Sequence, residues 1–316
     1  MRLWSRFFQV ASAAVFLVAS NAWADDDAAQ VPAPAPEQPA LAAPAAPEKA
    51  AASTSTDWCS SELETLPHDV CYAPGPVSKA GKRTLVIFLH GLTQVDSGWQ
   101  HSLQRGMKLA GKRLGFSLLT PKGRTKVGPG KKEDTIAWPI NPSVRAVEDE
   151  VIAEWIEAKE LVEKRDGAKF DEVFVMGFSN GAYYASSLAL RGRLEVDGYG
   201  VFAGGSAPKG TTSSSKGVKN RKPVFVAIAS KDETAKKGRE LAKALKELKW
   251  PNRVVSAPVG HVVADGQLEQ SLEYLRAPDK KASAKAPSEQ SGSKKKTAKK
   301  SGKTAKSTKK KTNKKR

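Results

Sequence analysis

The run TLVIFLHG (84–91) is continuously apolar from Leu85 to Leu89 and ends in a loop-forming His-Gly pair. A strand without an alternating polar face can only be buried on both sides, which requires a sheet covered above and below. The rest of the central chain repeats that rhythm. FSLLTP (116–121) reads as the next strand, and VRAVEDEVIAEWIEAKELVEKR (144–165) as a helix with apolar residues at three- and four-residue spacing. EVFVMGFS (172–179) then leads into a helix from Asn180 to about Arg191, followed by a strand around GYGVFAGG (198–205). After these come PVFVAIASKD (223–232), a helix through KKGRELAKALKEL (236–248), RVVSAPVGH (253–261), and a closing helix in QLEQSLEYL (267–275). Strands and helices in alternation specify a mostly parallel sheet with helices on both faces.

Only part of the 316 residues can build that core. Residues 1–24 carry Arg2 and Arg6, an apolar stretch, and Ala22-Trp23-Ala24, the small-x-small pattern of a signal peptide cleaved after Ala24. Export to the periplasm, cell surface or medium is therefore expected. Residues 25–56 are Ala, Pro, Ser, Thr and charges, a composition that reads as a disordered linker. The globular domain is expected over 57–276, and a disordered Lys-rich tail over 277–316. That tail holds fifteen lysines and one arginine against Asp279 and Glu289, so most of the chain's net charge of +19 lies in it. Such a segment binds polyanions by counterion release: acidic polysaccharide, nucleic acid or an anionic membrane surface. A solubilising tail without a partner is the alternative.

Cys59 and Cys71 are the only cysteines. In an exported chain an even pair at this spacing predicts a disulfide that staples the start of the domain. Two thiols with no nearby histidine pair do not make a metal site, and no Cys-x-x-Cys suggests redox chemistry.

Between the strand EVFVM and the helix after it stands Gly177-Phe178-Ser179-Asn180-Gly181. A strand that bends sharply into a helix strains the residue at the bend and needs small neighbours where segments crowd it. Ser179 is thereby lifted above the sheet at a helix N-terminus, where dipole character favours developing negative charge. A serine that merely caps the helix is the competing reading. Chain order supports the nucleophile. A serine hydroxyl needs a base to take its proton and an acid to orient that base. Of four histidines only His261 follows Ser179, directly after a strand. Asp232 follows the preceding strand in the same way, with an N-cap role and the adjacent Glu233 as alternatives. Serine, acid and histidine at the ends of successive strands is the chain order of α/β-hydrolases. The backbone amides of Asn180 and Leu92 are the expected oxyanion donors. His90 is then a loop-holding residue, and Gly91 permits close backbone approach.

The residues VIFLHGL with a following DSGW, then GFSNGA, an Asp after a strand, and Gly-His before a final helix resemble the phospholipase/carboxylesterase/thioesterase group of α/β-hydrolases over roughly 83–276. The resemblance implies an α/β-hydrolase fold and ester or thioester hydrolysis through an acyl-enzyme. Ser179, Asp232 and His261 would act, the amides of Leu92 and Asn180 would hold the oxyanion, and no cofactor would be required. The chain departs from that group at Thr93-Gln94, where Gly-Asp is usual, and at Asn180, where glutamine is common. Its elbow also resembles that of secreted polyester depolymerases and feruloyl esterases; a peptidase uses the same triad. From a different class comes a polyanion-binding surface protein that keeps the hydrolase fold as a scaffold. The segment 122–143 reads as a loop over the site mouth, with Trp138 and Trp99 either contacting substrate or simply packing.

Overall fold

A computed structural model of the chain describes residues 57–278, apart from 145. The expected leader, linker and nearly all of the Lys-rich tail lie outside those residues. In chain order the elements are β1 (Glu64–Leu66), β2 (Val70–Ala73), β3 (Thr84–Leu89), β4 (Thr93–Gln94), α1 (Trp99–Leu114), β5 (Ser117–Thr120), β6 (Thr135–Ile136) and α2 (Ala146–Asp166). There follow β7 (Glu172–Phe178), α3 (Asn180–Arg191), β8 (Gly198–Phe202), α4 (Lys209–Ser215), β9 (Val224–Ala229), α5 (Ala235–Glu247), β10 (Asn252–Ala257) and α6 (Asp265–Arg276).

Eight strands make one sheet in the order β1-β2-β5-β3-β7-β8-β9-β10, and β4 pairs with β6 apart from it. From β5 to β10 every neighbouring pair is parallel, whereas β2 runs antiparallel to both β1 and β5. This is the α/β-hydrolase fold. The chain leaves β3 toward β5 on one side and leaves β7 toward β8 on the other. The loops after β3 and β7 therefore diverge, opening a crevice at the carboxyl ends of these two strands where ligands bind in open parallel sheets.

Strand side chains alternate between two cores. Leu85, Ile87 and Leu89 pack with Trp155 of α2, Leu188 of α3 and Leu241 of α5. Val86 and Phe88 pack with Met107 of α1 and Leu272 of α6. Full burial of a Leu or Phe contributes about 2–3 kcal/mol, so this double cover holds the sheet rigid beneath the crevice. α2 is pinned to α3 by Glu148, 2% exposed, whose carboxylate accepts from Arg191 Nη1 at 2.8 Å, Arg191 Nη2 at 2.6 Å and Arg193 Nε at 3.0 Å. Burial pushes that carboxyl up, but the two guanidiniums outweigh it and hold it below the usual range.

Helix α1 is absent from the sequence-based expectation. Its buried face is Gln100, Gln104, Met107, Ala110 and Gly111, so polar and small residues take the places that periodicity expects to be apolar. Gln104 has a specific task there. Its Oε1 accepts from the Ser60 amide at 2.7 Å and its Nε2 donates to the Trp58 carbonyl at 3.1 Å, clasping the segment before β1. The same segment is tied to β2 by the Cys59–Cys71 disulfide.

A cross-link between residues 12 apart restricts the unfolded chain by about 3 kcal/mol. The double variant Cys59→Ala/Cys71→Ala is expected to lose about 2–3 kcal/mol of unfolding free energy, read as a lower urea midpoint at an unchanged native circular dichroism spectrum.

Candidate active site

At the end of β7, Ser179 has φ 52° and ψ −115°, a backbone state that a non-glycine residue enters only under strain. The neighbours explain how it is held. A Cβ on Gly177 would overlap the carbonyl of Gly181, and one on Gly181 would overlap the carbonyls of Leu89 and His90. The elbow therefore closes only with glycine at both positions. Behind it, a Cβ on Gly204 would come within 2.8 Å of the Ser179 carbonyl oxygen. That Gly204 follows β8 was not foreseen as part of the site, although the Gly-Gly pair at the end of that strand marks a close approach.

The loop after β3 passes directly against the serine. A Cβ on Gly91 would sit 3.2 Å from Ser179 Cβ, so the next residue, Leu92, starts beside the hydroxyl. Among the described residues neither the Leu92 amide nor the Asn180 amide has a hydrogen-bond acceptor. Two free N–H donors thus flank Ser179, at the N-terminal end of the twelve-residue helix α3.

Asp232 and His261 come from the ends of β9 and β10. His261 Nδ1 lies 2.8 Å from Asp232 Oδ2, and the carboxylate is 6% exposed while the imidazole is 42% exposed. The other carboxylate oxygen, Oδ1, accepts from the Thr234 amide at 2.7 Å and from the Thr234 hydroxyl. Asp232 is thus not the N-cap of α5, which is Thr234; it bonds the turn before that helix through one oxygen and pairs with His261 through the other. Burial raises its pKa, but the Thr234 hydrogen bonds and the His261 pairing prevail and hold it below the ordinary carboxylate range. An ionised Asp232 fixes the proton of His261 on Nδ1 and leaves Nε2 as the accepting nitrogen. The imidazole packs on the ring of Phe178, the residue before Ser179, at 4.8 Å. No hydrogen bond joins it to the Ser179 hydroxyl among the described residues. Asp265, the other nearby acid, pairs instead with Arg113 at 3.3 Å.

His90 is buried at 2% exposure. Its Nδ1 contacts the Gly91 carbonyl at 2.6 Å and its Nε2 accepts from the Gly123 amide at 3.1 Å, which sets the proton on Nδ1. Desolvation lowers its pKa to about 4 against the opposing effect of the Gly91 bond, so it is neutral at physiological pH and holds the loop.

Trp138 is fully buried. Its indole N–H donates to the His90 carbonyl at 2.8 Å, its backbone amide donates to Asn180 Oδ1 at 2.9 Å, and its ring stacks on Tyr184 at 5.8 Å. Packing is thus its main role, and one edge of it still borders a cavity of about 540 Å³ with Val127, Pro129, Ile140, Val144 and Asn180. Trp99 is the opposite case. It is 40% exposed with its ring 6.0 Å from Phe178, the residue before Ser179, and Leu92 and Val262 are likewise exposed apolar residues. Among the described residues no cluster of three or more His, Cys, Asp or Glu could hold a metal ion, and no helix is long and apolar enough to cross a membrane.

No protein-family model matches the chain, and no curated protein matches it. Solved structures do. The carboxylesterase from Mesorhizobium loti is 20% identical, covering 69% of this chain and 100% of its own at a TM-score of 0.47. SOBER1 from Arabidopsis thaliana is 16% identical, covering 62% and 99% at 0.46. The Bacillus cereus carboxylesterase is 16% identical, covering 66% and 94% at 0.44. Strand order and turn geometry define the fold independently of these low scores.

His90 makes a pH prediction. Its folded pKa of about 4 lies below the unfolded value of 6.5, so the unfolded chain binds a proton that the folded chain refuses. This contribution to stability is present above pH 6.5 and is lost as pH falls toward 4, by about 3 kcal/mol in all. Urea unfolding between pH 7.5 and 4.5 should show a slope nearly one proton smaller in His90→Gln than in the wild type; equal slopes would contradict a buried neutral imidazole.

Proposed function

We propose that this protein is a serine hydrolase that cleaves carboxylic esters or thioesters through an acyl-enzyme. The observation that carries the reading is the strained Ser179 turn, with free amides on both sides of it and an Asp232–His261 pair presented from the next strand ends. In the first half-reaction His261 Nε2 takes the Ser179 proton as Oγ attacks the acyl carbon. Negative charge develops on the carbonyl oxygen, where the Leu92 and Asn180 amides and the α3 N-terminus meet it. The imidazolium so formed is stabilised by Asp232 and then protonates the leaving oxygen or sulfur. In the second half-reaction water repeats the sequence and frees the acid. The exposed His261 ring must swing over Ser179 for this, a closure that commonly waits for substrate. None of these steps calls on a metal or organic cofactor.

The side of the site next to His261 takes the leaving group, because that is where the proton is delivered. Trp99, whose ring shares Phe178 with the His261 ring, gives this side an apolar neighbour. The acyl group then lies on the Asn180 side, toward the cavity under the 127–144 segment.

The leader pattern of residues 1–24 and the disulfide support export, and the Lys-rich segment 277–316 supports tethering to a polyanion. Tethering and hydrolysis are separable in this reading. Removing 277–316 should abolish retention on heparin and leave phenyl butyrate turnover within about twofold; unchanged retention would reject the tether, and lost turnover would reject the separation.

Fluorophosphonate labelling of the full chain should give one adduct by intact mass, absent in Ser179→Ala. Asp232→Asn should lower kcat for phenyl butyrate by about 10³–10⁴-fold, the cost of losing the acid that orients the base. Full turnover in Ser179→Ala would remove this serine from the mechanism.

A further inference from the structure

We infer that the side-chain amide of Asn180 is a specificity-determining donor, selecting acyl groups that carry an acceptor oxygen on the α or β carbon. The inference rests on the hydrolase reading and extends it to the substrate.

The orientation of this amide follows from its surroundings. Its Oδ1 faces the Trp138 backbone N–H at 2.9 Å, and only an oxygen can accept there. The NH₂ group is therefore on the opposite branch. Asn180 is 7% exposed, yet its Nδ2 has no hydrogen-bond partner among the described residues. That nitrogen is not among the buried side-chain atoms left without a partner, so in the free protein it reaches water, which an acceptor on a ligand can replace. Its setting gives that donor a use. Asn180 borders the cavity of about 540 Å³, whose wall is made by Val127, Pro129, Trp138, Ile140 and Val144 together with the polar Lys131 and Asn141. A few polar groups on a largely apolar wall are how a pocket fixes the orientation of an otherwise greasy ligand, and of these Asn180 is the one next to Ser179.

Covalent geometry limits where the matching acceptor sits. The backbone amide of the same residue is assigned to the carbonyl oxygen of the scissile bond, and the two donors of one asparagine lie only a few ångströms apart. An acceptor far along the acyl chain is out of reach. A hydroxyl or oxo oxygen one or two carbons from the carbonyl is within it, with the remaining carbon skeleton running along the apolar wall. Because Trp138 locks the amide, the donor direction is set before substrate arrives, and at a stereogenic carbon it accepts one enantiomer. In the free protein water can satisfy the NH₂, and an acyl group without an oxygen displaces that water with no replacement.

The experiment compares phenyl butyrate with phenyl (R)- and (S)-3-hydroxybutyrate on the full-length wild-type chain and on Asn180→Asp. Aspartate keeps an oxygen for the Trp138 amide and keeps the backbone donor, and it replaces the NH₂ donor by an acceptor. Wild-type kcat/KM should be about tenfold higher for one hydroxylated enantiomer than for butyrate, the scale of one neutral hydrogen bond. In Asn180→Asp that ratio should collapse to about one or below, whatever the variant does to the absolute rates. A wild-type ratio near one for both enantiomers overturns the inference, and needs no variant to fold. A ratio that persists in Asn180→Asp overturns it as well, as does an equal loss on all three esters, which would make the NH₂ a third oxyanion donor. If phenyl butyrate is turned over and fluorophosphonate labels Ser179 while no hydroxyl preference exists, the hydrolase reading stands and this inference alone fails. No labelling and no ester turnover would end both.

Discussion

The carbonyl oxygen of His90 accepts two hydrogen bonds, from the Gly181 amide at 3.1 Å and from the Trp138 indole at 2.8 Å. Three segments that are remote in sequence meet at this one atom: the loop after β3, the first turn of α3, and the long connection after β5. The elbow at Ser179 and the free amide at Leu92 both depend on that junction. Loosening it would let the β3 loop drift from the serine, and in the proposed mechanism the Leu92 and Asn180 amides serve only at a fixed distance from the reacting oxygen. Glycine is required on the β7 side because the backbones approach too closely for any side chain, and histidine is suited to the β3 side because its ring can bind its own loop at Gly91 and the opposite loop at Gly123.

This arrangement pairs a buried half with a half-exposed one. Ser179, Asn180 and Leu92 sit over a sheet covered on both faces, with α3 clamped to α2 through Glu148. His261 instead stands half in solvent on a loop, held by Asp232 and the face of Phe178. In the proposed mechanism charge stabilisation calls for preorganised donors, whereas the base must reach more than one oxygen, and burial of the first and exposure of the second suit those demands.

Much of the fold can be read directly along the chain, and the exceptions have physical causes. The parallel strands are legible because burial on both faces forces continuous apolar runs. Helix α1 is not, since Gln100 and Gln104 occupy buried positions where they bond the N-terminal segment, and hydrophobic periodicity has no term for a buried glutamine that is satisfied. The edge strand β1 and its neighbour β2 are three and four residues long, too short to show a period, and their pairing is antiparallel because a tight connection joins them. Trp138 illustrates a second kind of illegibility. A tryptophan in an irregular loop reads equally as ligand contact or as packing, and only the partners of its two N–H groups separate the readings.

The sequence by itself determined the chemistry on offer: a serine between glycines at a strand-to-helix junction, an acid and a histidine after later strands, two cysteines to cross-link, and a cationic segment beyond the domain. These are local facts, written in residue type, spacing and order. What only the tertiary structure decided is which groups face one another. Asp232 rather than Glu233 meets His261, His90 is a buried neutral strut, and Asn180 turns its amide oxygen to Trp138 at the wall of a cavity. Such facts depend on contacts between residues tens of positions apart, and no local propensity encodes the direction in which a side chain points once the sheet has brought its neighbours together.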